Sequence, residues 1–176
     1  MYEASPLRQT VIDVATSLVG RKCIRYIPGH PELGQSPESG FDCSGFVRYV
    51  LTVAGLALPD YLRVDGKTSQ IRHTNEFFDY YGLAVQSSRK LPGDLIFFSS
   101  HGWGPTHMGI VKDFDHYIHA PGYDGQEVEE SEIKLNNIEP NSSKRHRVIY
   151  DQNPIGYKSP ITEHLESSYR VHQEAI

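Results

Sequence analysis

Apolar residues in this chain change their spacing part-way along, and that change constrains the fold more than any other feature. Leu7, Val11, Val14, Ala15 and Leu18 recur at helical spacing behind Ser5 as a cap and Pro6 in the first turn, and Gly20 offers a stop. Phe46, Val47, Val50, Leu51 and Ala54 form a second stripe, with Asp42 as its cap. A weaker helical pattern runs from Ser69 to Tyr81 and stops at Gly82. From Leu95 onward the apolar residues come in short runs instead. Leu95 to Phe98 follows the turn residues Pro92-Gly93-Asp94, and Met108 to Val111 is followed by the turn Asp113-Phe114-Asp115 and then Tyr117-Ile118-His119. Val128 and Arg147 to Tyr150 offer two more strands. Helices first and strands afterwards predict an α+β fold, with N-terminal helices packed against an antiparallel sheet. One domain is expected over residues 1–150. From Asp151 to Ile176 the chain is polar and aperiodic, and a tail that packs on the domain or stays mobile is expected there.

Composition narrows the partners. The chain has 176 residues, 22 Asp+Glu against 17 Lys+Arg, and a net charge of −5. A nucleic-acid surface would need a basic face, so no nucleic-acid partner is expected. No apolar run reaches the length of a membrane span. The first residues lack a basic start followed by an apolar segment, so no leader is read. That leaves a cytoplasmic, injected, phage-associated or exported and processed protein all open. Two cysteines, Cys23 and Cys43, do not make a disulfide framework.

Cys43 is the sharpest chemical feature. It stands in the first turn of the second helix, where free N–H groups and the helix dipole favour a thiolate or a developing oxyanion. Gly45 removes a side chain next to it, so something can approach the helix start. Position alone leaves an inert buried cysteine equally open. The histidines decide. A nucleophilic thiol needs an imidazole that takes its proton and returns it to the leaving group, and that imidazole needs a polar partner to fix its tautomer. His107 opens one strand and His119 ends the next after a tight turn, so an antiparallel hairpin makes them neighbours.

Four stretches in order resemble one family. They are Asp42-Cys43-Ser44-Gly45-Phe46-Val47, Pro92-Gly93-Asp94-Leu95-Ile96-Phe97-Phe98, His107-Met108-Gly109-Ile110-Val111 and Ile118-His119-Ala120. Together they resemble the signatures of the NlpC family, over roughly Ser5 to Tyr150. The resemblance implies a papain-like fold and a cysteine endopeptidase acting on peptidoglycan stem peptides or muropeptides, usually at the bond between γ-D-glutamate and a diamino acid, with no metal or other cofactor. It implies that Cys43 is the nucleophile, His107 the base and His119 the residue that orients the base. Asp42 and Ser44 would flank the site and help hold substrate and nucleophile. Family members often carry a tyrosine just after the glycine that ends the first helix. Here Gly20-Arg21-Lys22 leads to Cys23, and Tyr26 follows a little later as the candidate substrate contact. Trp103 either lines the cleft or packs under its loop. The loop from Tyr26 to Gly40 and the stretch after Pro59 are longer than the family's common form.

Rival chemistry is less well supported. His101, His107, His116 and His119 cluster in sequence, but His116 and His119 differ by three and fall on opposite faces of a strand. No Cys-x-x-Cys or His-Glu-x-x-His pattern accompanies them, so no metal site is expected. His73 and His101 read as surface residues, and Cys23 as a small core residue. In permuted lipid-handling relatives of the papain fold the histidine precedes the cysteine, whereas here Cys43 comes first. An inactive wall-binding module would have lost Cys43 or His107. A papain-like amidase or acyltransferase acting on another substrate remains the enzymatic alternative.

Overall fold

In the computed structural model, residues 5–30, 32–63, 65–100, 103–121, 124–134 and 153–162 are described. Ser5 caps helix α1 (Pro6–Ser17), its side chain accepting from the amide of Arg8. A short ladder of β1 (Gln35–Ser36) and β2 (Gly40–Phe41) leads into α2 (Cys43–Val53), which Asp42 caps through the amide of Gly45 at 2.7 Å. Both helices start where their caps predict.

The expected helix over Ser69 to Tyr81 is half strand. Thr68–Gln70 forms β4, which pairs antiparallel with β3 (Asp60–Leu62), and α3 begins only at Thr74 and runs to Tyr80. The start is fixed by Glu76, whose carboxylate reaches back to the backbone amides of His73 at 2.9 Å and Arg72 at 2.7 Å. Those two bonds stop the helix from extending towards Ser69.

The remaining strands are β5 (Leu83–Val85), β6 (Leu95–Phe98), β7 (His107–Val111), β8 (His116–His119), β9 (Glu129–Glu132) and β10 (Gly156–Ser159). They form one six-stranded antiparallel sheet in the order β5-β10-β6-β7-β8-β9. The polar stretch after Asp151, expected as a packed or mobile tail, therefore supplies an inner strand. Tyr157 and Ser159 are its only buried residues, too few to register as an apolar run. Arg147 to Tyr150 lies outside the described residues.

Strand β6 is buried along its whole length, which explains its unbroken apolar sequence. Leu95 and Phe97 join the main core with Met108, Ile110 and Ile118, against Phe46, Val47, Val50 and Leu51 of α2. Ile96 and Phe98 join a second cluster with Val111, Tyr117, Ile133 and Tyr157. This packing sets the N-terminus of α2 against the β7–β8 hairpin. Among the described residues, no helix is long and apolar enough to cross a membrane.

Candidate active site

The start of α2 is built around one buried ion pair. Arg72 sends Nη2 to Oδ2 of Asp42 at 2.5 Å and Nη1 to Oδ1 at 3.1 Å, and both side chains are almost wholly buried. Arg72 also donates to Oγ of Ser44 at 2.9 Å and to the carbonyl of Leu33 at 2.9 Å. The hydroxyl of Ser44 donates to Oδ1 of Asp42 at 3.3 Å. The carbonyl of Gly34 accepts from the Asp42 amide at 3.0 Å, and a Cβ on Gly45 would lie 1.8 Å from that same oxygen. The group that approaches at Gly45 is thus the chain's own backbone. The long loop before α2 is strapped across the helix start, and Gly45 makes room for it.

Cys43, the first residue of α2, is partly buried, and its sulfur lies 3.5 Å from Oγ1 of Thr74. Burial and the Asp42 carboxylate push the thiol up from its ordinary value of 9.0, against hydrogen bonds from Thr74 and from the amides of Met108 and Ser44. Met108 follows His107 directly, so the sulfur sits beside the start of β7.

His107 and His119 are both buried, and Nε2 of His107 lies 2.9 Å from Nδ1 of His119. The hairpin that joins them closes through Asp113, whose Oδ1 accepts from the amides of Asp115 and His116, both at 2.9 Å. Burial first, and then His119, hold His107 well below the ordinary value of 6.5. His119 is lowered by burial and partly restored by Glu129. At neutral pH the site therefore holds a protonated thiol and neutral imidazoles. Behind His119, its Nε2 lies 3.1 Å from Oγ of Ser131 and 3.4 Å from Oε1 of Glu129.

The other expected site residues divide. Asp42 and Ser44 flank Cys43, but their side chains point inward and hold Arg72 and the helix start, because an exposed carboxylate there would leave Arg72 buried without a counter-charge. Tyr26 is exposed, edge-on to His73 at 5.3 Å, with the Arg72 guanidinium 5.7 Å from its ring centre. Trp103 is 87% exposed on the loop before β7, which removes the alternative of packing under that loop. Both cysteines are free thiols, and Cys23 is buried in the core as expected. His73 precedes α3 and is half-buried, and His101 lies outside the described residues. His116 turns away from the pair and binds Asp113 at 2.9 Å. With Glu130 these two could approach a common metal, but Glu130 is engaged by Lys112 at 2.6 Å. Arg72, Thr74, Glu129 and Ser131 were not legible as site residues. Arg72 and Thr74 lay inside the supposed third helix, and Glu129 in an acidic run that resembles a solvated edge.

Residues 32–148 match the sequence model of the NlpC/P60 family. The chain belongs to the NlpC/P60 family. The matched span holds α2, the β7–β8 hairpin, β9 and the site residues described above except Tyr26, while α1 and β10 of this NlpC/P60 fold lie outside it. The probable peptidoglycan endopeptidase LytE of Bacillus subtilis is 33% identical over 95 residues, which are 54% of this chain and 24% of that protein. The gamma-DL-glutamyl hydrolase of the same organism is 33% identical over 102 residues, 57% of this chain and 20% of that protein. The chain thus spans about a quarter or less of these relatives. Among solved structures, the NlpC/p60 domain of the peptidoglycan hydrolase SagA aligns with a TM-score of 0.54 at 26% identity, over 86% of this chain and 97% of that one. The P60 domain of an antigen from M. avium subspecies paratuberculosis has a TM-score of 0.57 at 18% identity, over 89% of this chain and 96% of that one, and speaks for the fold alone. The fold is the papain-like α+β architecture of NlpC/P60 domains.

Proposed function

We propose that this chain is a cysteine endopeptidase that hydrolyses bacterial cell-wall peptides through a thioester on Cys43, at the bond between γ-D-glutamate and a diamino acid. One observation carries the reading: the buried contact of 2.9 Å between His107 and His119, at the strand whose Met108 amide meets the Cys43 sulfur. Nε2 of His107 is taken by His119, which leaves Nδ1 to accept the thiol proton as sulfur attacks the carbonyl carbon. The negative charge moves to the carbonyl oxygen, and N–H groups at the start of α2 can receive it. Collapse of the intermediate breaks the C–N bond, and His107 returns the proton to the leaving amine. Water then attacks the thioester and gives a proton to His107, the C–S bond breaks, His107 returns that proton to the sulfur, and the γ-carboxyl product leaves. No step calls for a metal. Tyr26 beside Arg72 and Trp103 before β7 are the residues we assign to contact with the peptide. Named functions of relatives, a probable peptidoglycan endopeptidase and a gamma-DL-glutamyl hydrolase, support the substrate class.

The test is incubation of the wild type and Cys43→Ala with a synthetic stem peptide and with muropeptides, followed by mass spectrometry. The expected result is a new amino terminus on the diamino acid, seen only with the wild type. Binding of both ligands with no cleavage would sink the peptidase reading and leave a wall-binding module.

A further inference from the structure

Strand β9 is one edge of the six-stranded sheet, and its sequence Glu129-Glu130-Ser131-Glu132 looks like ordinary solvated charge. The register breaks that reading. Glu129 is the cross-strand partner of His119, and Ser131 that of Tyr117. Glu129 and Ser131 therefore lean on the same side of the sheet as His119. The Tyr117 ring stacks on the His119 ring at 4.7 Å and 27°, which holds the imidazole with Nε2 towards β9.

We propose that Glu129 is a positioning residue that fixes the tautomers of His119 and, through it, of His107. Its carboxylate can only accept, so it favours a proton on Nε2 of His119, which lies 3.4 Å from Oε1 of Glu129 and 3.1 Å from Oγ of Ser131. The Ser131 hydroxyl donates in turn to Glu129, which leaves its oxygen lone pairs for the imidazole. Nδ1 of His119 is then bare and accepts from Nε2–H of His107 at 2.9 Å. A neutral imidazole carries one proton, so Nδ1 of His107 holds the lone pair. One acidic group at the sheet edge thereby decides, two rings away, which nitrogen serves as the base. Among the described residues, His107 on β7, Glu129 on β9 and the Tyr117 ring on β8 are titratable groups that meet His119. The hydrogen bond from His119 is also the first cause that holds the Glu129 carboxyl below its ordinary range, so the carboxylate is charged when the site works. Ser131 alone cannot do this. A hydroxyl without the carboxylate can turn and donate to Nε2 of His119, which favours the opposite tautomer in both rings.

This inference rests on the peptidase reading for its effect on rate, but its geometric half is testable without substrate. In protein labelled with ¹⁵N-histidine, the tautomers of His107 and His119 are read from two-bond couplings at pH 7.5. Wild type and Ser131→Ala are expected to carry Nε2–H on both rings. Glu129→Ala is expected to populate the Nδ1–H form of His119, and Glu129→Gln, which keeps an accepting oxygen, to recover most of the wild-type pattern. The kcat on stem peptide should fall about tenfold in Glu129→Ala, with KM within about twofold and partial recovery in Glu129→Gln. His119 remaining fully Nε2–H in Glu129→Ala overturns the proposal, and so does a changed tautomer with unchanged kcat. A wild type that cleaves nothing defeats the peptidase reading instead. The tautomers, together with the rate of Cys43 alkylation in the same variants, then decide the role of Glu129.

Discussion

No side chain stands between His119 and the strand beside it at Gly109. A Cβ at that glycine would come within 3.0 Å of Cβ of His119 and 2.7 Å of the carbonyl oxygen of Ile118. His119 therefore lies against bare backbone, and its ring reaches the first residue of β7, His107.

Gly109→Ala should consequently damage the site from a position that carries no chemistry. The added methyl must push β7 and β8 apart, at a cost of roughly 1–3 kcal/mol. Thermal unfolding should show the loss of stability, and turnover should fall because the contact between His107 and His119 opens. Wild-type turnover in a folded Gly109→Ala would mean that the contact tolerates a shift of the strand.

His107 and His119 should respond differently to replacement. His107→Ala should abolish turnover, whereas His116→Ala, which loses only the contact with Asp113, should keep most of it. His119→Gln retains polarity and should keep substantial activity, while His119→Ala should lose about 10²-fold in kcat with little change in peptide binding. Steady-state cleavage of a synthetic stem peptide measures all four. Equal loss in His119→Gln and His119→Ala would make His119 an obligate acid or ligand.

The two histidines and the thiol also set a pH profile. Because burial holds His107 well below 6.5, the base stays unprotonated at pH 6.5, and kcat/KM should be level there and fall only at lower pH. Stability follows the same sign. The unfolded histidine takes up a proton below about 6.5 while the buried one resists, so folding free energy declines as pH falls below that value. Iodoacetamide should alkylate Cys43 before the buried Cys23, with a rate still rising as pH passes 9.0. Faster modification of Cys23 in the folded protein would refute the assignment of the nucleophile.

Arg72→Ala should be among the most destabilising single changes. It leaves the Asp42 carboxylate buried without its counter-charge, which costs roughly 3–5 kcal/mol. Arg72→Met combined with Asp42→Asn removes both charges and keeps a capping side chain, so it should unfold at a higher temperature than Arg72→Ala. Additive losses from the two changes would show that the pair is not coupled.

What could be read from the sequence was whatever is specified within a few residues. Ser5 and Asp42 announce their helices because a cap and an apolar stripe act over one turn. The contact between His107 and His119 was legible because Asp113 closes a hairpin short enough to fix its register. The β3–β4 hairpin and the late start of α3 were not, because both depend on the reach of Glu76 back to Arg72 and His73. Asp42 and Ser44 stand beside Cys43 as chain neighbours, but their inward direction depends on Arg72, which arrives from 30 residues away. Glu129 was hidden for a similar reason. An edge glutamate shows its purpose only once the strand opposite it is known.

The position of β10 has a consequence for how the protein comes into being. Strand β6 meets β7 through a local connection, but its other edge waits for Gly156–Ser159. At roughly 5–20 residues per second, a ribosome takes about 3–12 s to deliver that partner after Phe98 has been made. Through that interval Leu95-Ile96-Phe97-Phe98 presents an unpaired, wholly apolar edge to whatever else is nearby, other nascent copies of itself included. Helix α2, the β7–β8 hairpin and Glu129 have all been synthesised by then, so the arrival of β10 governs when the sheet beneath them is complete, and a chain that stalls before it is primed to aggregate.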